Sequence, residues 1–410
     1  VPHSLDRRLG LIGSVGVGVS AMIGAGLFTV FAPAVGAAGD GVLLALLIAA
    51  VVAGCNAMSS ALLARRYPVA GGTYVYGRER LGPFWGHLAG WSFVAGKLAS
   101  CAAMALAIGA YAWPAHDRLV AVLVVALLTT VNLAGVEKSA AVGIALVSVV
   151  LAVVAIALVT MTTAPAAPER GDPATTRGVL EGAGLLFFAF AGYARLATLG
   201  EEVRRPERTI PRAIAVAVAI VVTVYVASIA ALLHAVGAGR LPTTERPFVA
   251  GVEAAGADRF VPVVVLAAGL AAGGALLSVL LGVSRTALAM ARDGHLPSLL
   301  TAVGATRRVP WAAEIVAGAV IVVLVLTGDL VSSIGFSSFC VLVYYAVANA
   351  SALTLPSGRL VRAGSALGLT GCVVLAALLP AGSVVAGALV VACGAVAYLT
   401  RRRGGTARQT

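Results

Sequence analysis

Residues Gly10–Gly39 read GLIGSVGVGVSAMIGAGLFTVFAPAVGAAG. The run is apolar and long enough to cross a bilayer, for which roughly 20 residues suffice. It is also a poor helix. Gly13, Gly16, Gly18, Gly24 and Gly26 lie inside it, and glycine is costly in a helix interior. Around Met22-Ile23-Gly24-Ala25-Gly26 there is almost no side chain to shield the backbone. Bare amides at membrane depth persist only where protein buries them or where they line a cavity. The stretch therefore reads as a helix interrupted at Met22–Gly26, whose broken ends offer free N–H and C=O groups to a ligand. The alternative is a continuous helix whose glycines let a neighbour pack closely.

The rest of the chain fits a membrane setting. Hydrophobic residues make up 60% of the 410 and charged ones 11%, with a mean hydropathy of +1.00. A soluble domain is nearer about 25% charged, so the chain reads as an all-α polytopic membrane protein. Its net charge of +12 then reflects basic residues retained in cytoplasmic loops rather than a nucleic-acid partner. Cys55, Cys101, Cys340, Cys372 and Cys393 form no CxxC pair and read as buried thiols. His3, His87, His116, His234 and His295 are scattered without ligand spacing, so no metal and no cofactor is expected. Gly16–Ala21 matches a GxGxxA fingerprint on paper, but that motif needs a preceding strand and a βαβ unit. No nucleophile–base–acid set lies within the spans, which argues against an enzyme.

Apolar runs between charged or Pro/Gly-rich breaks give twelve spans, near 11–35, 41–63, 84–112, 118–135, 139–161, 178–200, 210–236, 260–291, 311–328, 331–354, 364–380 and 382–400. With a cytoplasmic N-terminus, 21 of the 29 Lys and Arg fall on the inner side and six on the outer. That bias puts both termini inside. The sixth span is interrupted too, at Ala189-Phe190-Ala191-Gly192-Tyr193. It stands five spans after the first, as expected of two repeats of opposite orientation, about 11–161 and 178–354, followed by helices 11 and 12 over about 364–400. Gly-interrupted spans at matching places in two halves point to a transporter's midplane site. Half-helix N-termini there favour an anion and C-termini a cation, so a zwitterion held mainly by backbone fits.

VSAMIGAGLF, ARRYPVAGGTYVYGRERLGPFWGHLAGW, FFAFAGYARLATLGEEVRRPERTIPRAI and SRTALAMARDGHLP resemble, in order and spacing, the amino acid–polyamine–organocation (APC) superfamily of permeases. The resemblance implies twelve transmembrane helices, a LeuT-like 5+5 inverted repeat with broken helices 1 and 6, and transport of amino acids or related amines by alternating access. It assigns the substrate carboxylate to the amides around Gly24, Ala25 and Gly26, and the amine to the carbonyls of Met22, Ile23, Phe188 and Ala191, beside Gly192. Phe188 and Phe190 fall where the family often has aromatic gates. The chain departs from the family pattern at Ala194, where an acid is frequent, and in Ser139–Met161, which lacks the lysine some members carry. The implied partners are a small-molecule substrate, the lipid bilayer of the cytoplasmic membrane and, as a candidate coupling ion, the proton. An obligate exchanger or exporter, and a substrate-sensing protein, are the alternatives.

Two charges stand inside spans. Lys97 lies near the middle of the third span, too far from either end to snorkel at about 1.5 Å per residue. It reads as a coupling residue, a static cation satisfied by helix-end carbonyls, or a partner for an acidic substrate. Arg195 follows the sixth-span break and is expected on the pathway, paired with Glu201 or Glu202. No acid is expected deep within a span, Glu181 being the nearest. The Pro68–Gly82 connection reads either as a solvated loop or, by the resemblance, as a loop helix that closes the inner gate.

Overall fold

The computed structural model describes residues 10–67, 71–135, 140–167, 171–193, 196, 203–304 and 309–406. Ala194, Arg195, Glu201 and Glu202 lie outside the described residues. The described residues form sixteen α-helices joined by short 3₁₀ turns, with no strand element among them. The first span is split into α1 (Leu11–Met22), α2 (Ala25–Thr29) and α3 (Phe31–Ala38). Helix α4 is Val42–Arg66 and α5 is the connecting helix Thr73–Leu81. Helices α6 (Pro83–Ala112), α7 (Asp117–Leu133) and α8 (Ala140–Met161) complete the first half. The second half holds α9 (Thr176–Phe190), α10 (Pro206–Ala235), α11 (Pro247–Ala254), α12 (Val261–Arg292), α13 (Trp311–Thr327) and α14 (Leu330–Leu353). Helices α15 (Arg359–Leu378) and α16 (Ala381–Thr406) end it.

Among the described residues, nine helices are long and apolar enough to cross a membrane. They differ from the twelve expected spans for local reasons. Helix α1 ends after 12 residues because Ile23 turns out of helical geometry (ψ 78°), its amide still bonded to Val19. Helix α9 ends after 15 residues, at the 3₁₀ turn Ala191–Tyr193, and α13 has only 17. Gly39, at φ +53°, closes α3 in the left-handed region that suits glycine.

Burial separates centre from rim. Two-thirds of the most apolar window of α6 and of α14 is buried, against 17% for α7 and α16. The rim helices carry exposed apolar rows at helical spacing, such as Leu119, Leu123 and Leu127 on α7. Such rows need lipid, since water would not hold them. Helix α6 packs against α12 and α14, α1 against α8 and α10, and α9 against α4 and α14.

Candidate functional site

The two interruptions meet. A Cβ on Gly26 would stand 2.8 Å from both Cα and Cβ of Ala189, and one on Gly192 would collide with the Ala21 carbonyl. The tyrosine of α10 ties the two breaks together: the Tyr225 hydroxyl donates to Met22 O at 2.9 Å and reaches Ala189 O at 3.1 Å. The glycines therefore serve both readings of the first stretch. The helix is broken at Ile23–Gly24, and the absent side chains let α2 and the α9 turn approach backbone to backbone.

Each site residue predicted from the sequence, Arg195 apart, can be placed. Ala25 and Gly26 open α2, whose first-turn amides have no partner within the helix. The Gly24 amide is taken by Met22 O at 3.0 Å. With Tyr225, this fills both lone pairs of the Met22 carbonyl. Phe188 O accepts the Ala191 amide. Ala191 O faces the Lys97 ammonium at 3.4 Å, and Lys97 is 8% exposed. Phe190 is fully buried against Tyr225, which also meets Phe31, in an aromatic trio (centroids 5.2 and 5.7 Å). It is enclosed by these rings in this conformation. A second aromatic cluster lies at Phe28, whose ring meets Tyr111 (5.9 Å) and Phe248 of α11 (5.1 Å), while Tyr111 OH donates to Phe28 O. Beside the break, among α1, α8 and α12, lies a cavity of about 10 Å³ bordered by Ser20, Ile23 and Ala275. That is room for about one water, so anything larger needs the helices to move apart.

Two features went unread in the sequence. Glu314, in the first turn of α13 and so near a span end rather than deep within it, is fully buried in the protein. The polar residues Asn56, Ser59, Asn349 and Ser365 bond to one another across α4, α14 and α15. Their only sequence signal was a polar residue in an apolar run.

Helix α5 is docked rather than solvated, with Thr73–Gly77 buried against α6 and α14. The Tyr74 hydroxyl donates to Asp293 at 2.5 Å and lies 2.9 Å from His295 Nδ1, while Arg78 donates to the same carboxylate at 3.0 Å. Burial pushes the Tyr74 phenol up, as does Asp293. Burial pulls His295 below its ordinary value, Asp293 opposing and Arg78 and Arg401 assisting. His87 and His295, far apart in sequence, meet at 5.0 Å. Among the described residues no cluster with metal-ligand geometry occurs.

The profile of the amino acid permease family matches residues 14–357. An uncharacterized transporter of Mycobacterium tuberculosis is 55% identical over 408 residues, 98% of this chain and 93% of that protein. The branched-chain amino acid permease BcaP of Bacillus subtilis is 23% identical over 76% of this chain and 72% of its own. A vacuolar cationic amino acid transporter of Arabidopsis thaliana is 27% identical over 86% of this chain and 60% of its own. With its apolar helices and its two interrupted spans, the chain belongs to the amino acid permease family of membrane transporters.

Proposed function

We propose that the protein is a secondary-active transporter of amino acids or related amines, working by alternating access in the cytoplasmic membrane with both termini inside. The observation that carries the reading is the meeting of the two helix breaks, Gly26 on Ala189 and Gly192 on Ala21, at a Tyr225 tether. The amides of Ala25 and Gly26 take the substrate carboxylate. The carbonyls of Ile23, Phe188 and Ala191 take the amine, since Met22 O is already filled. The relatives named for branched-chain and cationic substrates share only the α-amino acid head group, which suits a site built from backbone.

A 5+5 inverted repeat, about 11–161 and 178–354, is supported by how the helices pair. Shifting by five spans turns the α1–α8 contact into α9–α14, α1–α10 into α9–α4, and α6–α14 into α12–α8, and each of these contacts occurs. Helices α15 and α16 stand outside the repeat as spans eleven and twelve. The cluster of Phe28, Tyr111 and Phe248 closes the side beyond α2, which the charge bias makes the outer one. Lys97 acts as the cation that fills the α9 break while substrate is absent, competing with the substrate amine for Ala191 O. Arg195 remains a pathway residue by its position alone.

Counterflow in proteoliposomes tests the reading. Saturable exchange of at least one labelled amino acid or amine is expected, and its absence for all of them would remove the proposal. A sensor would bind without exchange, so a thermal-shift response with no counterflow favours that alternative.

A further inference from the structure

The buried acid of α13 has an unbalanced hydrogen-bond account. Glu314 is 0% exposed, and its Oε1 lies 2.7 Å from Ser284 Oγ of α12. Ser284 Oγ has a second acceptor, Leu281 O, at 3.0 Å, yet a hydroxyl carries only one hydrogen. Glu314 Oε2 has no partner, nor has Oδ1 of Asn132, a 2% exposed residue of α7 within reach of the carboxyl. The amide nitrogen of Asn132 lies 3.4 Å from Leu277 O, and turning the amide would give up that bond and set Oδ1 against the Leu277 carbonyl. Glu314 Oε2 and Asn132 Oδ1 are thus left as two buried acceptors without a hydrogen. A single added proton balances them. On Oε2 it donates to Asn132 Oδ1.

The other groups around the carboxyl do not replace that proton. From α7, Thr129 is uncharged and sits one turn along, against Gly318. From α6, Cys101 is a fully buried thiol. From α12, the exposed Arg285 acts on Glu314 through space. A bare carboxylate here would be desolvated, with only the Ser284 hydroxyl, the Asn132 side chain, the first turn of α13 and the outlying Arg285 to offset the cost.

We infer that Glu314 is a proton-binding site of the transporter, protonated between Asn132 and Ser284 in this closed conformation and deprotonated during the cycle, when α13 shifts and the proton passes to water. Arg285 at the rim then faces the carboxylate. The coupling half of the inference rests on the transport reading above, and the protonation half does not.

The test uses the full-length protein in lipid. Infrared spectra report the C=O stretch of a protonated carboxyl, and Glu314→Gln should delete one such band. A spectrum unchanged by the substitution overturns the proposal. Should Glu314→Gln fail to assemble, Glu314→Asp must shift the same band, and a band that stays put overturns it equally. For coupling, one imposed pH unit supports about a tenfold accumulation ratio at one proton per substrate. That ratio should fall to about one in Glu314→Gln while counterflow persists. Accumulation still driven by the gradient would make the proton stationary and refute coupling. Sodium stabilising the wild type but not Glu314→Gln would identify a metal ion in place of the proton. Failure of wild-type counterflow would sink the transport reading while leaving the infrared result standing.

Discussion

Gly26→Ala should destabilise the protein, although alanine is the better helix former. The new methyl would lie 2.8 Å from Ala189 Cα and Cβ, where carbon atoms prefer about 3.5–4.0 Å. Both obstacles belong to, or sit directly on, the α9 backbone, so α2 and α9 must separate by roughly 0.7–1.2 Å to reach that contact distance. Overpacking of this kind costs about 1–3 kcal/mol. The same movement stretches the Tyr225–Ala189 hydrogen bond from 3.1 Å past useful length and forfeits about 1 kcal/mol more. Against this stands a propensity gain of at most about 1 kcal/mol, smaller at the start of a short helix. The net loss is therefore about 1–3 kcal/mol by these terms. Gly54→Ala provides the control, because a Cβ there, inside α4, meets nothing within 4 Å, and it should stabilise by up to about 1 kcal/mol. Thermal unfolding of both variants in nanodiscs measures the difference. Equal stability of the two would show that the breaks do not pack as described.

Tyr225→Phe keeps the aromatic trio but removes the tether, and should cost about 1 kcal/mol through the lost hydrogen bond; combined with Gly26→Ala the losses should fall short of additive, and strict additivity in thermal unfolding would argue that the two do not share a contact. Lys97→Met frees Ala191 O and should tighten substrate binding about fivefold, the equivalent of one weak hydrogen bond, with weaker binding by calorimetry counting against competition. His295, held below its ordinary value by burial, binds fewer protons folded than unfolded. The docking of α5 should thus be at full strength above the ordinary value of 6.5 and weaken as pH falls below it. Hydrogen exchange of Thr73–Gly77 should rise on that side, and flat protection through the window would remove His295 from the account.

The span boundaries were legible because they depend on local quantities. A helix crossing lipid must be apolar for its whole length and must end where charge or glycine begins. The expected 41–63 became Val42–Arg66, and 139–161 became Ala140–Met161. The breaks were legible for a related reason, as glycine clusters weaken a helix wherever it goes. Other sequence-level expectations fared differently once partners were known. The glycine stretch was read as broken or closely packed, and it is both, because whether a missing side chain faces a ligand or a neighbour depends on what lies across from it. Phe190 carried an aromatic-gate assignment, yet Tyr225 and Phe31 enclose it.

By itself, the sequence determined the class of solvent, the limits of several of the apolar helices and the two places where helices are interrupted, since each follows from residues adjacent along the chain. The tertiary structure alone decided that the failures coincide at Tyr225, that His87 meets His295, that Thr73–Gly77 of α5 are buried, and that Ser284 meets Glu314 in the interior. Those facts join residues 30 to more than 200 positions apart. A hydrogen-bond account can be audited only when every donor and acceptor in reach is known, and reach is a property of the packed helices.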